Sequence, residues 1–285
     1  MSAARPPLAR PDRVFGGYIF DLDGTVYLGE QLLPGSTRLL AALRELRRRV
    51  AFVSNNPTRT LDQYVAKLTA FGIEVDEREV INTVMTTVAW VTSECPHAHV
   101  FALAEEPLVR ALHDAGVHLS EDPAVIDLVI ASFDRTLDYS KLQIAFDALW
   151  RRDGTRFVAT NPDPYCPTLE GGQPDAGSVI AALEACTGRR CERHFGKPGE
   201  VMMNTVMGRL ALPAHECVGI GDRISTDLAA SRAAGTRSAI VLTGETDPAA
   251  LAALGGDERP DYVLARVDQL LPASEWDRRG WSEDG

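Results

Sequence analysis

The 285-residue chain lacks any long hydrophobic run. No stretch approaches the roughly 18 uninterrupted apolar residues of a membrane-spanning helix. The N-terminal segment MSAARPPLARPDR has no apolar core of the kind found in signal peptides, which predicts a short disordered tail. The polar C-terminal end is expected to be frayed as well. These absences favour a cytoplasmic protein without a membrane partner.

The chain also lacks a long basic block, and its formal net charge is −11. This charge balance argues against general nucleic-acid binding. The five cysteines show neither CxxC nor zinc-finger spacing, which indicates free thiols in a reducing cytosol. Cys95, His97 and His99 lie close together, but Pro96 interrupts them and no second cluster accompanies them. We therefore expect no metal site at this cluster.

Short apolar runs alternate with helical patterns along the chain, which is typical of a parallel α/β sheet. The strands predicted for the first sheet are 17–20, 50–54, 216–220, 238–242 and 262–264. A helix between the first two strands is indicated by Leu39, Leu43, Leu46 and Val50, which recur at helical spacing. Polar residues follow the first three of these strands. Because ligands bind at the carboxyl ends of such strands, we expect them to share one site.

The middle of the chain has an alternation of its own and predicts a second domain. Its predicted strands are 100–104, 127–133 and 156–160, and its predicted helices are 106–115, 139–151 and 177–187. Because both flanks supply strands of the first sheet, residues 84–190 are interpreted as an insertion into a core made of 1–83 and 191–285. An inserted domain of this kind is well placed to act as a lid.

Two aspartates close the first strand in the sequence Asp21-Leu22-Asp23-Gly24-Thr25. Residues two apart in a strand point to the same face, so Asp21 and Asp23 leave the strand side by side. Two carboxylates this close repel unless a cation or a shared proton intervenes. Mg²⁺ prefers oxygen ligands and commonly binds substrate phosphate as well. The alternative is that these carboxylates only cap the next helix.

Three further segments carry polar groups suited to phosphate or metal. Residues 54–58, Ser-Asn-Asn-Pro-Thr, offer a hydroxyl and successive backbone N–H groups before a helix. Lys197 stands between Gly196 and Pro198, where it could neutralise an anion, although an isolated exposed lysine usually has no role. Asp222 ends an apolar strand and could complete a metal site. Asp227 could either stand in the outer shell of the metal or cap a helix.

In this order, these segments resemble the four motifs of the haloacid dehalogenase superfamily of phosphohydrolases. The position of the insertion resembles the subgroup that includes NagD-type, p-nitrophenyl phosphate, pyridoxal phosphate and phosphoglycolate phosphatases. The segments 160–163, Thr-Asn-Pro-Asp, and 242–244, Leu-Thr-Gly, are also similar to that subgroup. The resemblance implies an α/β fold, with a Rossmann-like three-layer core around a parallel sheet and an inserted α/β cap domain of the C2 type.

The resemblance also implies a mechanism. Asp21 would attack phosphorus and form an aspartyl-phosphate, while Asp23 would serve as general acid and then general base. Mg²⁺ would be held by Asp21, the backbone carbonyl of Asp23, and Asp222. Thr25 and Asp227 would lie in the outer shell of the metal and support these ligands.

For the phosphate, the resemblance implies that Ser54, Asn55, Asn56 and Lys197 bind its oxygens. Lys197 would also stabilise the transferring group. An aspartate at position 23 favours hydrolysis, because the ion pumps of the superfamily carry threonine there and dehalogenases need no acid.

Substrate specificity is expected from the cap residues Asn161, Asp163, Tyr165 and Cys166. Related phosphatases have histidine or leucine where this chain has Cys166, so their specificity does not transfer to it. Tyr165 could stack on a ring or simply pack in a core. Residues 174–178 depart from the more common glycine-threonine-glycine form, which leaves the hinge geometry open.

Three functional hypotheses follow. The first is a Mg²⁺-dependent phosphatase for a small phosphorylated metabolite, such as a sugar, polyol or nucleoside phosphate. The second is a phosphotransferase that passes the phosphoryl group to an alcohol. The third is a catalytically silent protein that binds a phosphometabolite. By family resemblance, a homodimer formed through the cap is also expected.

Overall fold

The structure is a computed structural model that describes residues 8–168 and 171–283. Within them, the chain divides into two compact units. The terminal unit contains the residues up to 53, residues 65–80 and those from 203 onward. The central unit contains residues 54–64 and 81–202. The central unit therefore includes a short segment, 54–64, that precedes the predicted insertion, and it extends beyond residue 190. The assignment of 84–190 as a functional cap stays a prediction.

Strands and helices alternate through both units. The strands are β1 Gly17–Asp21, β2 Tyr27–Leu28, β3 Gln31–Leu32, β4 Arg49–Ser54, β5 Val80–Asn82, β6 His99–Leu103, β7 His118–Leu119, β8 Leu128–Ala131, β9 Arg156–Ala159, β10 Tyr165–Thr168, β11 Gly171–Pro174, β12 Arg193–His194, β13 Cys217–Gly221, β14 Arg237–Val241 and β15 Tyr262–Leu264. The α-helices are α1 Ser36–Glu45, α2 Leu61–Ala70, α3 Thr83–Glu94, α4 Glu106–Asp114, α5 Tyr139–Arg151, α6 Ala176–Thr187, α7 Glu200–Leu210, α8 Ala229–Ala233, α9 Pro248–Ala253 and α10 Ala273–Arg279.

A six-stranded sheet of order β15-β14-β13-β1-β4-β5 organises the terminal unit. Strand β1 pairs in parallel with β13 on one side and with β4 on the other. Its aromatic side chains are fully buried, and Phe20 stacks on Phe52 of β4 with ring centroids 5.9 Å apart. Tyr18 accepts a hydrogen bond from the Phe15 backbone, and burial raises the pKa of its hydroxyl to about 12. This apolar centre holds the carboxyl ends of β1 and β13 in register.

Helix α1 ends earlier than its apolar spacing suggested. Arg47 adopts a positive φ of 55°, and the backbone N–H of Arg48 donates to the carbonyl of Leu43, which together close the helix. Val50 lies in strand β4 and is not part of the helical stripe. The prediction that the stripe continued to Val50 was wrong, because a strand residue happened to fall at helical spacing.

The central unit contains a five-stranded parallel sheet of order β12-β9-β8-β6-β7. Successive residues of its strands face opposite sides, as the two-residue repeat of a strand requires. One side packs with helices α5 and α6 around Val129 and Phe157, and the other packs with α3 and α4 around Leu128 and Ile130. Parallel sheets covered by helices confirm the predicted α/β class.

Both ends of the described chain are more ordered than expected. Ala9 forms two backbone hydrogen bonds with Val263 of β15, at 3.0 and 3.2 Å. Near the other end, Trp276 of α10 is buried and its indole N–H donates to the carbonyl of Asp268. The predicted disordered tail is therefore wrong for residues 8–13, and the predicted fraying is wrong for α10. Residues 1–7 and 284–285 lie outside the described residues.

No helix in the described ranges combines the length and apolar character needed to cross a membrane.

Candidate active site

The carboxyl end of β1 carries the predicted nucleophile. Asp21 is the last residue of the strand, and the chain then turns tightly. In this turn, the N–H of Gly24 donates to the carbonyl of Tyr27 at 2.7 Å, and the N–H of Val26 donates to the carbonyl of Leu22 at 2.9 Å. Thr25 is fully buried in the turn. The turn holds Asp21 at the carboxyl end of the parallel strands.

Strand β13 and the helical turn after it contribute two more carboxylates. Asp222 directly follows β13 and is 1% exposed. Asp227 lies in a π-helical turn, Ile224–Leu228, and its Oδ2 accepts a hydrogen bond from the backbone N–H of Arg223 at 3.0 Å. Asp227 lies inside this turn and bonds back to the N–H of Arg223, which is itself the N-cap, so Asp227 is not the capping residue.

The carboxylates of Asp21, Asp222 and Asp227 converge. One oxygen from each lies within 4.8 Å of the others. Three carboxylates at this separation repel strongly, and an oxygen-liganded divalent cation is the usual way to balance them. The donor set therefore suits Mg²⁺. The side chain of Asp23 is not part of this group of three, so any role of Asp23 toward a metal would use its backbone carbonyl.

A loop after β14 encloses Asp222. The Oδ2 atom of Asp222 accepts the backbone N–H of Glu245 at 2.6 Å, and Glu245 forms an ion pair of 2.8 Å with Arg223. Two glycines leave the space that Asp222 occupies. A Cβ added to Gly244 would lie 2.0 Å from Asp222 Oδ2, and one added to Gly24 would lie 2.5 Å from it. The Leu-Thr-Gly segment was predicted to matter, but Glu245 was missed, because its contribution is a backbone N–H group that carries no sequence signal.

In the central unit, Ser54 begins a segment rich in hydrogen bonds. Its buried hydroxyl lies 2.9 Å from the hydroxyl of Tyr64 and accepts the N–H of Asn56 at 3.2 Å. The Tyr64 hydroxyl also donates to the carbonyl of Asn56, and Asn56 Oδ1 accepts the backbone N–H of Thr58 at 2.9 Å. Tyr64 was missed, since a single aromatic residue in a helix carries no distinguishing pattern.

Lys197 lies in the same unit, between β12 and α7, and is 5% exposed. The side chain of Asn55 contacts its backbone on both sides, with Lys197 N–H donating to Asn55 Oδ1 at 2.7 Å and Asn55 Nδ2 donating to Lys197 O at 3.0 Å. Because it is buried and held in this way, Lys197 is not an ordinary exposed surface residue. In the same segment, burial lowers the pKa of His194, although a backbone contact with Gly196 and the charge of Asp163 oppose that shift.

The four predicted specificity residues fall into two classes. Asn161 is fully buried and Asp163 is 4% exposed, and both belong to a hydrogen-bond network. Tyr165 and Cys166 lie in the hairpin β10–β11, where Tyr165 is 41% exposed. Cys166 Sγ lies 4.0 Å from Asn56 Nδ2. Only the second pair has side-chain surface available to a ligand.

Comparison with known proteins gives the relationship. A model of haloacid dehalogenase-like hydrolases matches residues 18–118, and a HAD-hydrolase-like model matches residues 194–270. The sugar-phosphatase AraL of Bacillus subtilis is 33% identical over 262 residues, which cover 91% of this chain and 93% of AraL. The chain belongs to the haloacid dehalogenase-like hydrolases. The predicted resemblance is thus confirmed.

Further relatives place the chain among the phosphatases of this family. The 5'-nucleotidase YutF of Bacillus subtilis is 30% identical over 260 residues, covering 91% of this chain and 99% of YutF. The crystal structure of a 4-nitrophenylphosphatase from Thermotoga maritima superposes with a TM-score of 0.83 at 34% identity, covering 90% of this chain and 96% of the other. The fold is therefore the HAD-like α/β fold, and the chain is a phosphoric monoester hydrolase. This result disfavours the hypothesis of a silent binding protein.

Proposed function

We propose that this phosphatase is Mg²⁺-dependent and hydrolyses the phosphomonoester of a small metabolite through an aspartyl-phosphate. The observation that carries the proposal is the convergence of the Asp21, Asp222 and Asp227 carboxylates within 4.8 Å at the ends of two neighbouring parallel strands. A divalent cation would balance the charge of such a group, and a carboxylate within it can act as a nucleophile toward phosphorus.

Asp21 supplies the nucleophilic oxygen. Its carboxylate forms a bond to phosphorus while the bond from phosphorus to the ester oxygen breaks, and Asp23 donates its proton to the departing alkoxide. In the second step, Asp23 takes a proton from a water molecule, whose oxygen attacks the phosphorus. The Asp21 carboxylate then leaves, inorganic phosphate is released, and Asp23 is again protonated. Two displacements of moderate difficulty thus replace a single difficult one.

Asp21, Asp222 and the backbone carbonyl of Asp23 would hold Mg²⁺, with Asp227 and Thr25 behind them. When bound, the ion offsets the negative charge that nucleophile and phosphate bring together. Within the cluster, the hydrogen bond from Arg223 N–H fixes the orientation of Asp227. Because one Asp222 oxygen is already held by the Glu245 amide, that carboxylate is also fixed in orientation.

Ser54, Asn56 and Lys197 are proposed to bind the phosphate oxygens, together with the backbone N–H of Asn55. The hydroxyl of Ser54 is oriented by Tyr64, and Lys197 carries a positive charge on a backbone that Asn55 fixes in place. Groups oriented before the substrate arrives need little reorganisation during the reaction, which is how electrostatic stabilisation of phosphoryl transfer works.

The names of the relatives support the substrate class. AraL is a sugar phosphatase and YutF a 5'-nucleotidase, and both align with more than nine-tenths of this chain. We propose a sugar, polyol or nucleoside phosphate as substrate, and a cytoplasmic location. Tyr165 and Cys166 are the proposed contacts to the part of the substrate that distinguishes one ester from another.

A homodimer formed through the central unit is also proposed. Helix α5 exposes 80% of Tyr139 and 63% of Trp150, and Trp150 stacks on Phe146 with centroids 5.5 Å apart. Exposed aromatic residues of this size are enriched at interfaces between proteins. Sedimentation analysis of the protein and of Trp150→Lys tests this, and a monomeric wild-type protein would contradict it.

The function is tested by phosphate release from a broad panel of phosphomonoesters, with Mg²⁺ and with EDTA. Release should require the metal and should disappear in Asp21→Asn, which retains the shape of the side chain but is a poor nucleophile. Adding alcohols and analysing the products separates hydrolysis from the phosphotransferase alternative. Metal-independent release, or full activity of Asp21→Asn, would contradict the proposal.

A further inference from the structure

The side-chain amide of Asn55 has no hydrogen left for a substrate. A neutral amide nitrogen carries two hydrogens. One donates to the carbonyl of Lys197 at 3.0 Å, and the other donates to Asp163 Oδ2 at 2.7 Å. The amide oxygen accepts the N–H of Lys197 at 2.7 Å. Asn55 therefore joins the backbone of Lys197 to the carboxylate of Asp163.

The same count applies to Asn161. Its two amide hydrogens donate to Asp163 Oδ2 and to Asp175 Oδ1, each at 2.9 Å. Its amide oxygen accepts the hydroxyl of Thr160 at 2.6 Å, and its side chain is fully buried. Both hydrogens of the amide are thus committed within the protein.

The network has an anchored far end. Asp175 is the N-cap of helix α6, and its Oδ1 also accepts the N–H of Ala176 at 2.5 Å. From there, alternating carboxylates and amides lead through Asn161, Asp163 and Asn55 to Lys197. Each carboxylate oxygen in this path receives two donors, so both of these buried acceptors have hydrogen-bond partners within the protein.

Resting on the proposed function, we infer that Asn161 and Asp163 are positioning residues for Lys197 and do not recognise the leaving group of the substrate. They act through Asn55, which holds the lysine backbone at both its N–H and its C=O. A lysine side chain has many rotamers, so a fixed backbone is what limits where its ammonium group can reach. The leaving group would instead be recognised by Tyr165 and Cys166 of the hairpin β10–β11.

The two roles predict different kinetics. A residue that contacts the leaving group changes kcat/KM for some esters more than for others. A residue that positions Lys197 acts on the phosphoryl group, which all esters share, so its loss lowers kcat/KM by one common factor. It also weakens the binding of inorganic phosphate, which has no leaving group at all.

The test uses Asp163→Ala and the isosteric Asp163→Asn, with p-nitrophenyl phosphate, a sugar phosphate and a nucleoside monophosphate as substrates. We expect Asp163→Ala to lower kcat/KM about 100-fold on all three, since displacements near 1 Å have effects of this order. The inhibition constant of inorganic phosphate should rise in parallel. Asp163→Asn keeps an acceptor oxygen for both amides and should recover part of the loss.

The matched control is Asp138→Ala, which removes the N-cap of α5 in the same unit and should leave all kinetic constants unchanged. Tyr165→Ala should alter the three substrates unequally. The inference is overturned if either Asp163 variant changes substrate preference while the phosphate constant stays at the wild-type value, or if both variants retain full activity. A wild-type protein that hydrolyses no ester would refute the proposed function instead. Calorimetric binding of inorganic phosphate would still decide the positioning role.

Discussion

Replacement of Gly244 by alanine should damage the proposed metal site and also lower the stability of the fold. The new Cβ would lie 2.0 Å from Asp222 Oδ2 and 2.7 Å from Asp222 Cβ. Both distances are far below van der Waals contact, so the loop or the carboxylate must move. Either movement weakens the hydrogen bond from the Glu245 N–H to Asp222, which is 2.6 Å long. The carboxylate then no longer faces Asp21 and Asp227 in the orientation that binds a cation.

The expected cost follows from two contributions. Overpacking at a filled site destabilises a protein by about 1–3 kcal/mol. At about 2–4 °C per kcal/mol for a protein of this size class, the melting temperature should fall by roughly 2–12 °C. In addition, Mg²⁺ at a hundred times its Kd stabilises the folded protein by about 2.7 kcal/mol, and the variant should lose most of that gain at the same concentration.

Thermal unfolding with and without Mg²⁺ measures both effects, and titration calorimetry gives the Mg²⁺ affinity directly. The matched control is Gly208→Ala in helix α7, where an added Cβ has no described heavy atom within 4 Å. That change should leave Mg²⁺ affinity intact and slightly raise stability, because alanine favours a helix. If Gly244→Ala melted at the wild-type temperature and bound Mg²⁺ with wild-type affinity, the reasoning from the close approach to Asp222 would be refuted.

Three other expectations concern stability and thiol reactivity. Leu39→Ala should lower the free energy of unfolding by about 2–5 kcal/mol in urea titrations, because Leu39 is fully buried in α1; a loss below 1 kcal/mol would contradict this packing. Burial works to raise the pKa of Asp261, but hydrogen bonds, foremost from the Ser238 N–H, outweigh it and lower that pKa. The ionised carboxylate therefore stabilises the fold above its unfolded pKa and ceases to do so as pH falls through its folded pKa, so the destabilisation by Asp261→Asn should shrink in acid; a pH-independent effect would contradict it. Burial raises the pKa of the Cys217 thiol to about 11, so iodoacetamide at pH 8 should label exposed Cys186 and spare Cys217 until urea is added; rapid native labelling of Cys217, read by peptide mass spectrometry, would contradict this.

Local patterns were sufficient for most of the regular structure. Strand β15 and helix α5 have the predicted limits, 262–264 and 139–151, because turn residues and a capping aspartate mark their ends in the sequence. The error at Val50 has the same origin as these successes. Periodicity describes only neighbouring residues, and it cannot show that a positive φ at Arg47 has already ended the helix.

The site shows the same division. Asp21, Asp222 and Lys197 were predicted from residue type and from their places next to strands and turns. The contacts that orient them were not predicted. The backbone N–H of Glu245 donates to Asp222, 23 positions away, and the side chain of Asn55, which was predicted only to bind phosphate, contacts the backbone of Lys197, 142 positions away. Asn161 and Asp163 were predicted as ligands of the substrate. In the structure both amide hydrogens of Asn161 and the Oδ2 atom of Asp163 are engaged within the protein, which is the basis for inferring a positioning role.

By itself, the sequence determined the α/β class, the family and the acidic strand ends, since these depend on residue type, on short spacing and on the order of motifs. The tertiary structure alone decided which polar atoms meet. It brings Asp227 to the two other carboxylates, sets Asp222 against two glycines, and uses both amide hydrogens of Asn55. The reason is physical: a hydrogen bond depends on atomic positions to within a few tenths of an ångström, and only the packing of distant segments sets those positions.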